Sequence, residues 1–149
     1  MRDLFMTTMK MAMKAGDKRR LATVRMIQAA LKDKDIEARG LGKTVSDDDI
    51  LSLLQKMVKS RQESADIYGK AGRPELEQQE REEIAIINEF LPKQMSDEEV
   101  AAAIDAAVAE TGAASMKDMG KVVAALKAKY TGQLDFAKAS GLVKARLGS

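Results

Sequence analysis

Apolar residues recur at three- and four-residue intervals along nearly the whole chain, and glycine, proline or a capping residue stands wherever the rhythm breaks. This pattern predicts seven helices. The first covers residues 1–15 and is closed by Gly16, after which Asp17 caps a second that runs to about Arg39, before Gly40. Ser46, followed by Asp47, Asp48 and Asp49, opens a third helix reaching about Tyr68. Gly69 and Gly72 mark a turn, and Pro74, suited to a first helical position, starts a fourth helix that ends near Leu91 and Pro92. Ser96 and Glu99 form a capping-box pattern for the fifth, which Gly112 ends. Ser115 caps the sixth, Gly132 closes it, and Asp135 caps the seventh.

No stretch alternates apolar and polar residues with β-branched enrichment between turn signals, so the expected class is all-α. The best boundary is Leu91-Pro92-Lys93-Gln94-Met95, where proline stops one helix shortly before a capping box starts another. Residues 1–92 are therefore expected to form an N-terminal four-helix unit and residues 93–149 a smaller three-helix C-terminal unit.

Two helices carry patterned faces. In the sixth, Met119, Val122, Val123, Leu126 and Tyr130 share a narrow apolar face, while Lys117, Lys121, Ala124 and Ala128 lie opposite, beside Gly120. Small residues between lysines would let a phosphate backbone, or another helix, approach closely. In the second, Lys18, Arg25 and Lys32 recur every seven residues opposite Val24, Ile27 and Leu31, a spacing of roughly 10 Å along the axis.

Composition narrows the chemistry. The chain has no cysteine and no histidine, which removes disulfides, thiolate ligands and the commonest general base and metal ligand. Aromatic residues are 3% of the chain, so the cores are built from aliphatic side chains, methionine and alanine. They also leave few platforms for stacking single-stranded bases, so recognition of RNA would work through shape and phosphates. Lys10 and Lys14 interrupt the first apolar segment, and no signal peptide or membrane span is read; the cytoplasm is the expected compartment. The net charge is only +2, yet from Thr111 onward seven basic residues stand against Asp118 and Asp135. The basic set is Lys117, Lys121, Lys127, Lys129, Lys138, Lys144 and Arg146.

Motifs for catalysis fail on inspection. Gly40-Leu41-Gly42-Lys43-Thr44 resembles the end of a phosphate-binding loop, but Glu37 occupies the place of the required earlier glycine and no strand precedes it. It reads as an interhelical loop. Ser60, Ser64 and Ser115 have lysines nearby but no accompanying oxyanion motif. Asp47, Asp48 and Asp49 fit the first turn of a helix, where the dipole favours acids, better than a metal site. No cofactor, metal or catalytic residue is expected, and the function class is binding rather than enzymatic.

Longer strings resemble a known family. Met13-Lys14-Ala15-Gly16-Asp17-Lys18 with Leu21, Arg25 and Met26, then Gln55-Lys56-Met57-Val58-Lys59 with Arg61, Glu63, Ser64 and Tyr68, are similar to YqeY proteins. Ala71-Gly72-Arg73, Leu91-Pro92 and Asp118-Met119-Gly120-Lys121-Val122 continue the match. Within the GatB/YqeY group, residues 96–147 resemble the helical tail of the B subunit of aspartyl/glutamyl-tRNA amidotransferase, a carbon-nitrogen ligase with glutamine as amido donor. That tail contacts tRNA, and nothing here resembles the parts of the enzyme that perform the reaction. The chain departs from the family at Gln133-Leu134, where a basic-then-alanine step is usual, and at Val123, where methionine is usual.

The resemblance implies a noncatalytic tRNA-binding protein or an accessory of the aminoacylation or amidation machinery. Lys117, Lys121, Lys127, Lys129, Lys138 and Lys144 are its candidate RNA-binding residues, with Lys18, Arg25 and Lys32 as a secondary stripe. The competing expectation is a protein-interaction adaptor with no RNA role, which would use methionines such as Met6, Met9 and Met13. A third, structural expectation concerns Arg61 and Glu80, each set among apolar positions. A hairpin about the Gly69 to Gly72 turn would pair them, with Glu83 as the alternative acceptor. The Pro92 to Met95 linker should be the first site cut in limited proteolysis, and initial cleavage inside the third or fourth helix would count against the boundary.

Overall fold

The computed structural model describes residues 1–148, and among them there is no strand. The order is α1 (Arg2–Ala15), α2 (Lys18–Gly40), α3 (Asp47–Lys70), α4 (Pro74–Asn88), α5 (Asp97–Thr111), a short 3-10 turn (Met116–Asp118), α6 (Met119–Tyr130) and α7 (Phe136–Gly148). Ser46 and Ser96 each accept a hydrogen bond from the backbone N–H three residues on, and the Asp49 and Glu99 carboxylates accept one in turn from the serine N–H. Both capping boxes thus satisfy two amide groups that the helix itself leaves unpaired. Asp17 caps α2 through the Arg20 N–H, and Gly16 closes α1 in the left-handed conformation at φ 69°.

Several boundaries moved for identifiable reasons. Gly40 stays helical, and the left-handed residue that ends α2 is Gly42, over which the Lys43 N–H bonds back to the Ala38 carbonyl at 2.8 Å. α3 likewise runs past Tyr68 and Gly69 to Lys70, with Gly72 as its left-handed stop. α4 ends at Asn88, short of Leu91, and Glu89, Phe90 and Leu91 tighten into three-residue turns. Pro92 has no N–H to continue the ladder and disfavours a helical Leu91. Ser115 makes no side-chain cap, nor does Asp118 at the start of α6, whose carboxylate instead accepts from the preceding Ala114 N–H at 3.0 Å.

Contacts divide the chain into two units, residues 1–91 and those from Pro92 onward. In the first, α3 and α4 form the most extensive helix pair, and α2 packs on both as well as on α1. Its core gathers Phe5, Val24, Ile27, Leu31, Ile50, Leu53, Leu54, Ile86, Ile87 and Phe90. Phe5 and Phe90 meet edge to face with ring centroids 5.0 Å apart, which ties α1 to the segment after α4. In the second unit, Val100, Ile104 and Val108 of α5 pack with Val122 and Leu126 of α6 and Val143 and Leu147 of α7. The linker is pinned at its far end, where the Gln94 side-chain amide donates to the Gly132 carbonyl at 2.6 Å and the Met95 N–H to the Gln133 carbonyl at 2.8 Å.

The expected Arg61–Glu80 pair is corrected by the structure. Arg61 Nε donates to Glu83 Oε2 at 3.1 Å, and only 16% of the arginine side chain and 7% of the glutamate side chain remain exposed. The register explains the change. Because α3 extends to Lys70 and the turn closes on Gly72, the hairpin is centred there, and Arg61 and Glu83 stand equally far from it. Arg61 also donates to the Met57 carbonyl, Gln79 donates to Glu83 at 3.4 Å, and Arg19 of α2 lies 4.0 Å from Glu83. Glu80 is left half-buried beside this cluster, and its carboxyl is pushed up first by burial and then by Glu83, with Arg61 opposing.

These two carboxylates should respond oppositely to neutralisation. Glu83→Gln strands Arg61 and should cost about 3 kcal/mol in urea unfolding at neutral pH. Glu80→Gln should instead raise the stability. A glutamate whose folded pKa is raised is destabilising when ionised, so the gain should be present at neutral pH and vanish as pH falls below about 4, where both states are protonated. Equal losses from the two variants would refute this assignment.

Candidate nucleic-acid interface

The six candidate lysines of the second unit do not share one state. α5 carries Asp97, Glu98, Glu99, Asp105 and Glu110 and no basic residue. Lys138 reaches from α7 to Asp97 at 2.8 Å, Lys129 from α6 to Glu110 at 2.9 Å, and Arg146 to Asp105 at 3.2 Å. The hydrogen bond from Lys138 holds the Asp97 carboxyl below its usual range, and the same contacts push the Lys138 and Lys129 ammonium groups up. All are exposed pairs, which water and salt screen heavily. The excess of positive charge after Thr111 is thus partly offset by the acids of the preceding helix. That signal was present in the sequence as a helix with only one sign of charge.

The remaining four lysines differ. Lys117, Lys121, Lys127 and Lys144 are exposed, and among the described residues none has a carboxylate within ion-pair distance. Lys117 belongs to the 3-10 turn rather than to α6, so it precedes the helix on which Lys121 sits. The Lys127 ammonium lies 6.0 Å from the centre of the Phe136 ring, which anchors it at the α6–α7 corner. Lys144 and Lys138 leave different flanks of α7, since six residues advance a helix by well over a turn and a half.

Small residues surround these lysines. A Cβ placed on Gly120 or Gly141 meets nothing within 4 Å, and Ala124 and Ala128 are exposed. Val122 and Leu126 are buried, whereas Met119, Val123 and Tyr130 are only partly so, and the apolar face lies where the spacing put it. A backbone of phosphates approaching the Gly120–Ala124–Ala128 side therefore meets no bulky side chain there.

In the first unit Lys18, Arg25 and Lys32 are all exposed along α2, with exposed Ala22 and Ala29 between them and no ion pair among the described residues. The neighbouring Arg19 and Arg20 are instead consumed by the fold. Arg19 binds Glu82 at 3.2 Å, and Arg20 binds Glu89 together with its own cap Asp17. Aromatic platforms are scarce, because Phe5 and Phe90 are buried against each other and Tyr68, Tyr130 and Phe136 are each half-buried. No helix among the described residues is long and apolar enough to cross a membrane.

The model of the family described as Yqey-like protein matches residues 2–147. Altered inheritance of mitochondria protein 41, mitochondrial, from Eremothecium gossypii is 34% identical over 100 residues, which cover 66% of this chain and 54% of that protein. The chain thus spans about half the length of the curated relative it matches.

If the acids of α5 hold Lys129 and Lys138 back, removing those acids should release them. The double variant Asp97→Asn, Glu110→Gln should elute from a heparin column at higher salt than the parent protein. Unchanged elution would mean that these pairs do not limit the basic surface.

Proposed function

The chain belongs to the Yqey-like protein family, and on that footing we propose that it is a noncatalytic tRNA-binding protein, an accessory of the aminoacylation or amidation machinery acting in the cytoplasm. One observation carries this: Lys117, Lys121 and Lys144, with Lys127 at the corner, are exposed and have no carboxylate within ion-pair distance among the described residues, and Gly120, Ala124 and Ala128 leave the flank of α6 beside Lys121 open. Lysines on such a surface suit the phosphates of a folded RNA, which are reached by charge and shape rather than by base stacking. The resemblance of residues 96–147 to a tRNA-contacting tail supports the same ligand. The mitochondrial designation belongs to the relative from Eremothecium gossypii.

A second proposal has its own support. Leu4 and Met11 on one flank of α1, and Met6 and Met13 on the other, are 44–64% exposed, adaptable apolar side chains of the kind that protein partners use. Met9 is not among them, since it packs on the core. In that reading the protein is an adaptor with no RNA role.

Fluorescence anisotropy with labelled tRNA over a salt series separates the two. Binding should weaken steeply with salt, and the double variant Lys117→Ala, Lys121→Ala should flatten the logarithmic slope by roughly 1.5. Lys129→Ala with Lys138→Ala should change it less, because α5 already neutralises those cations. Absence of binding at low salt would end the RNA proposal in favour of the adaptor. An unaltered slope in the first variant would move the site to Lys18, Arg25 and Lys32.

A further inference from the structure

The loop between α2 and α3, set aside as a defective phosphate loop, borders a recess of about 250 Å³ in the first unit. Lys34 enters from α2, Lys43 from the loop and Lys56 from α3, and the hydroxyl-bearing Thr44 and Ser52 line the same space. Its apolar lining includes Val45 and Leu53, both of which belong to the core or pack on it. The recess is slightly smaller than the cavities that hold drug-sized ligands, and it has their mixture of apolar wall and a few convergent polar groups.

The charges do not cancel internally. Two carboxylates also border the recess, Glu37 and Asp49. Glu37 lies 3.7 Å from Lys34, which occupies both. Asp49 is engaged by the capping box, where it accepts the Ser46 N–H at 2.9 Å, and this hydrogen bond holds its carboxyl low. Lys43 and Lys56 have no carboxylate within ion-pair distance among the described residues, and three ammonium groups against two carboxylates leave the recess one net positive charge beside two hydroxyls.

We propose that this recess binds a small organic anion with an apolar body, its charged group held by Lys43 and Lys56 and its apolar part resting on Val45 and Leu53. The anionic group is a phosphate ester or a carboxylate, both of which accept charge-assisted hydrogen bonds from lysine and hydroxyl donors. No backbone cradle of the nucleotide-binding kind is involved, and the site is independent of the lysines assigned to RNA.

The test is titration of isotope-labelled full-length protein with phenyl phosphate, benzoate, inorganic phosphate and benzyl alcohol, followed by amide chemical shifts. Phenyl phosphate or benzoate should give saturable shifts concentrated between residues 34 and 56, and the tighter of the two names the anionic group. Inorganic phosphate and benzyl alcohol should each bind at least about tenfold more weakly. Lys43→Ala with Lys56→Ala should weaken the aromatic anion by at least about tenfold, with an unchanged melting temperature, whereas Lys117→Ala with Lys121→Ala should leave it intact. Thr44→Val provides a milder variant of the same wall and should weaken binding in the same direction. Shifts spread over exposed lysines throughout the chain, equal binding of inorganic phosphate, or unaltered binding in the Lys43/Lys56 variant would overturn the proposal.

Discussion

The first unit depends on one ion pair buried between helices. Arg61 and Glu83 are placed where α3 and α4 face each other, and Arg19, Gln79 and the Met57 carbonyl complete the coordination from the helices around them. A hydrophobic seam alone permits a helical hairpin to slide by a turn, because aliphatic side chains accept many neighbours of similar volume. A charge in the seam removes that freedom, since a slipped register would leave it desolvated and unpaired.

The second unit is organised by a different constraint, the segregation of charge by helix. α5 carries only acids, α6 and α7 almost only bases, and the core of alanine, valine and leucine between them leaves the flanks close enough for Asp97, Asp105 and Glu110 to reach across. Part of the basic surface is therefore satisfied from within. The part left over is set by which flank of each helix a lysine leaves from, which is why Lys138 and Lys144, six residues apart on one helix, differ in state.

What the sequence revealed and what it hid divide along the same line. Caps are local chemistry, so Ser46 with Asp49 and Ser96 with Glu99 were legible, as was the left-handed stop at Gly16. Glycines in pairs were not, because either member of Gly40/Gly42 or Gly69/Gly72 can end a helix, and the choice rests on how the following residues bond back. That small error carried forward: moving the end of α3 from Tyr68 to Lys70 moved the partner of Arg61 from Glu80 to Glu83. The state of Lys129 and Lys138 was hidden for a tertiary reason, since their acids lie 19 and 41 residues away in the chain. The grouping of Lys34, Lys43 and Lys56 around one recess needed the angle between α2 and α3, which no periodicity encodes.

The acidic flank of α5 also changes what a polyanion meets. Asp97 and Glu110 act as tethered counterions, whose pull on Lys138 and Lys129 salt weakens but which dilution cannot remove. A single stray phosphate must displace a carboxylate that never diffuses away, and it gains little by doing so. A ligand that presents several phosphates at fixed separations can displace two such carboxylates in one encounter, its contacts to Lys117, Lys121 and Lys144 having already held it in place. Charge that looks diminished by internal pairing would thus act as a filter, discounting isolated anions while leaving the surface open to a rigid, multiply charged backbone.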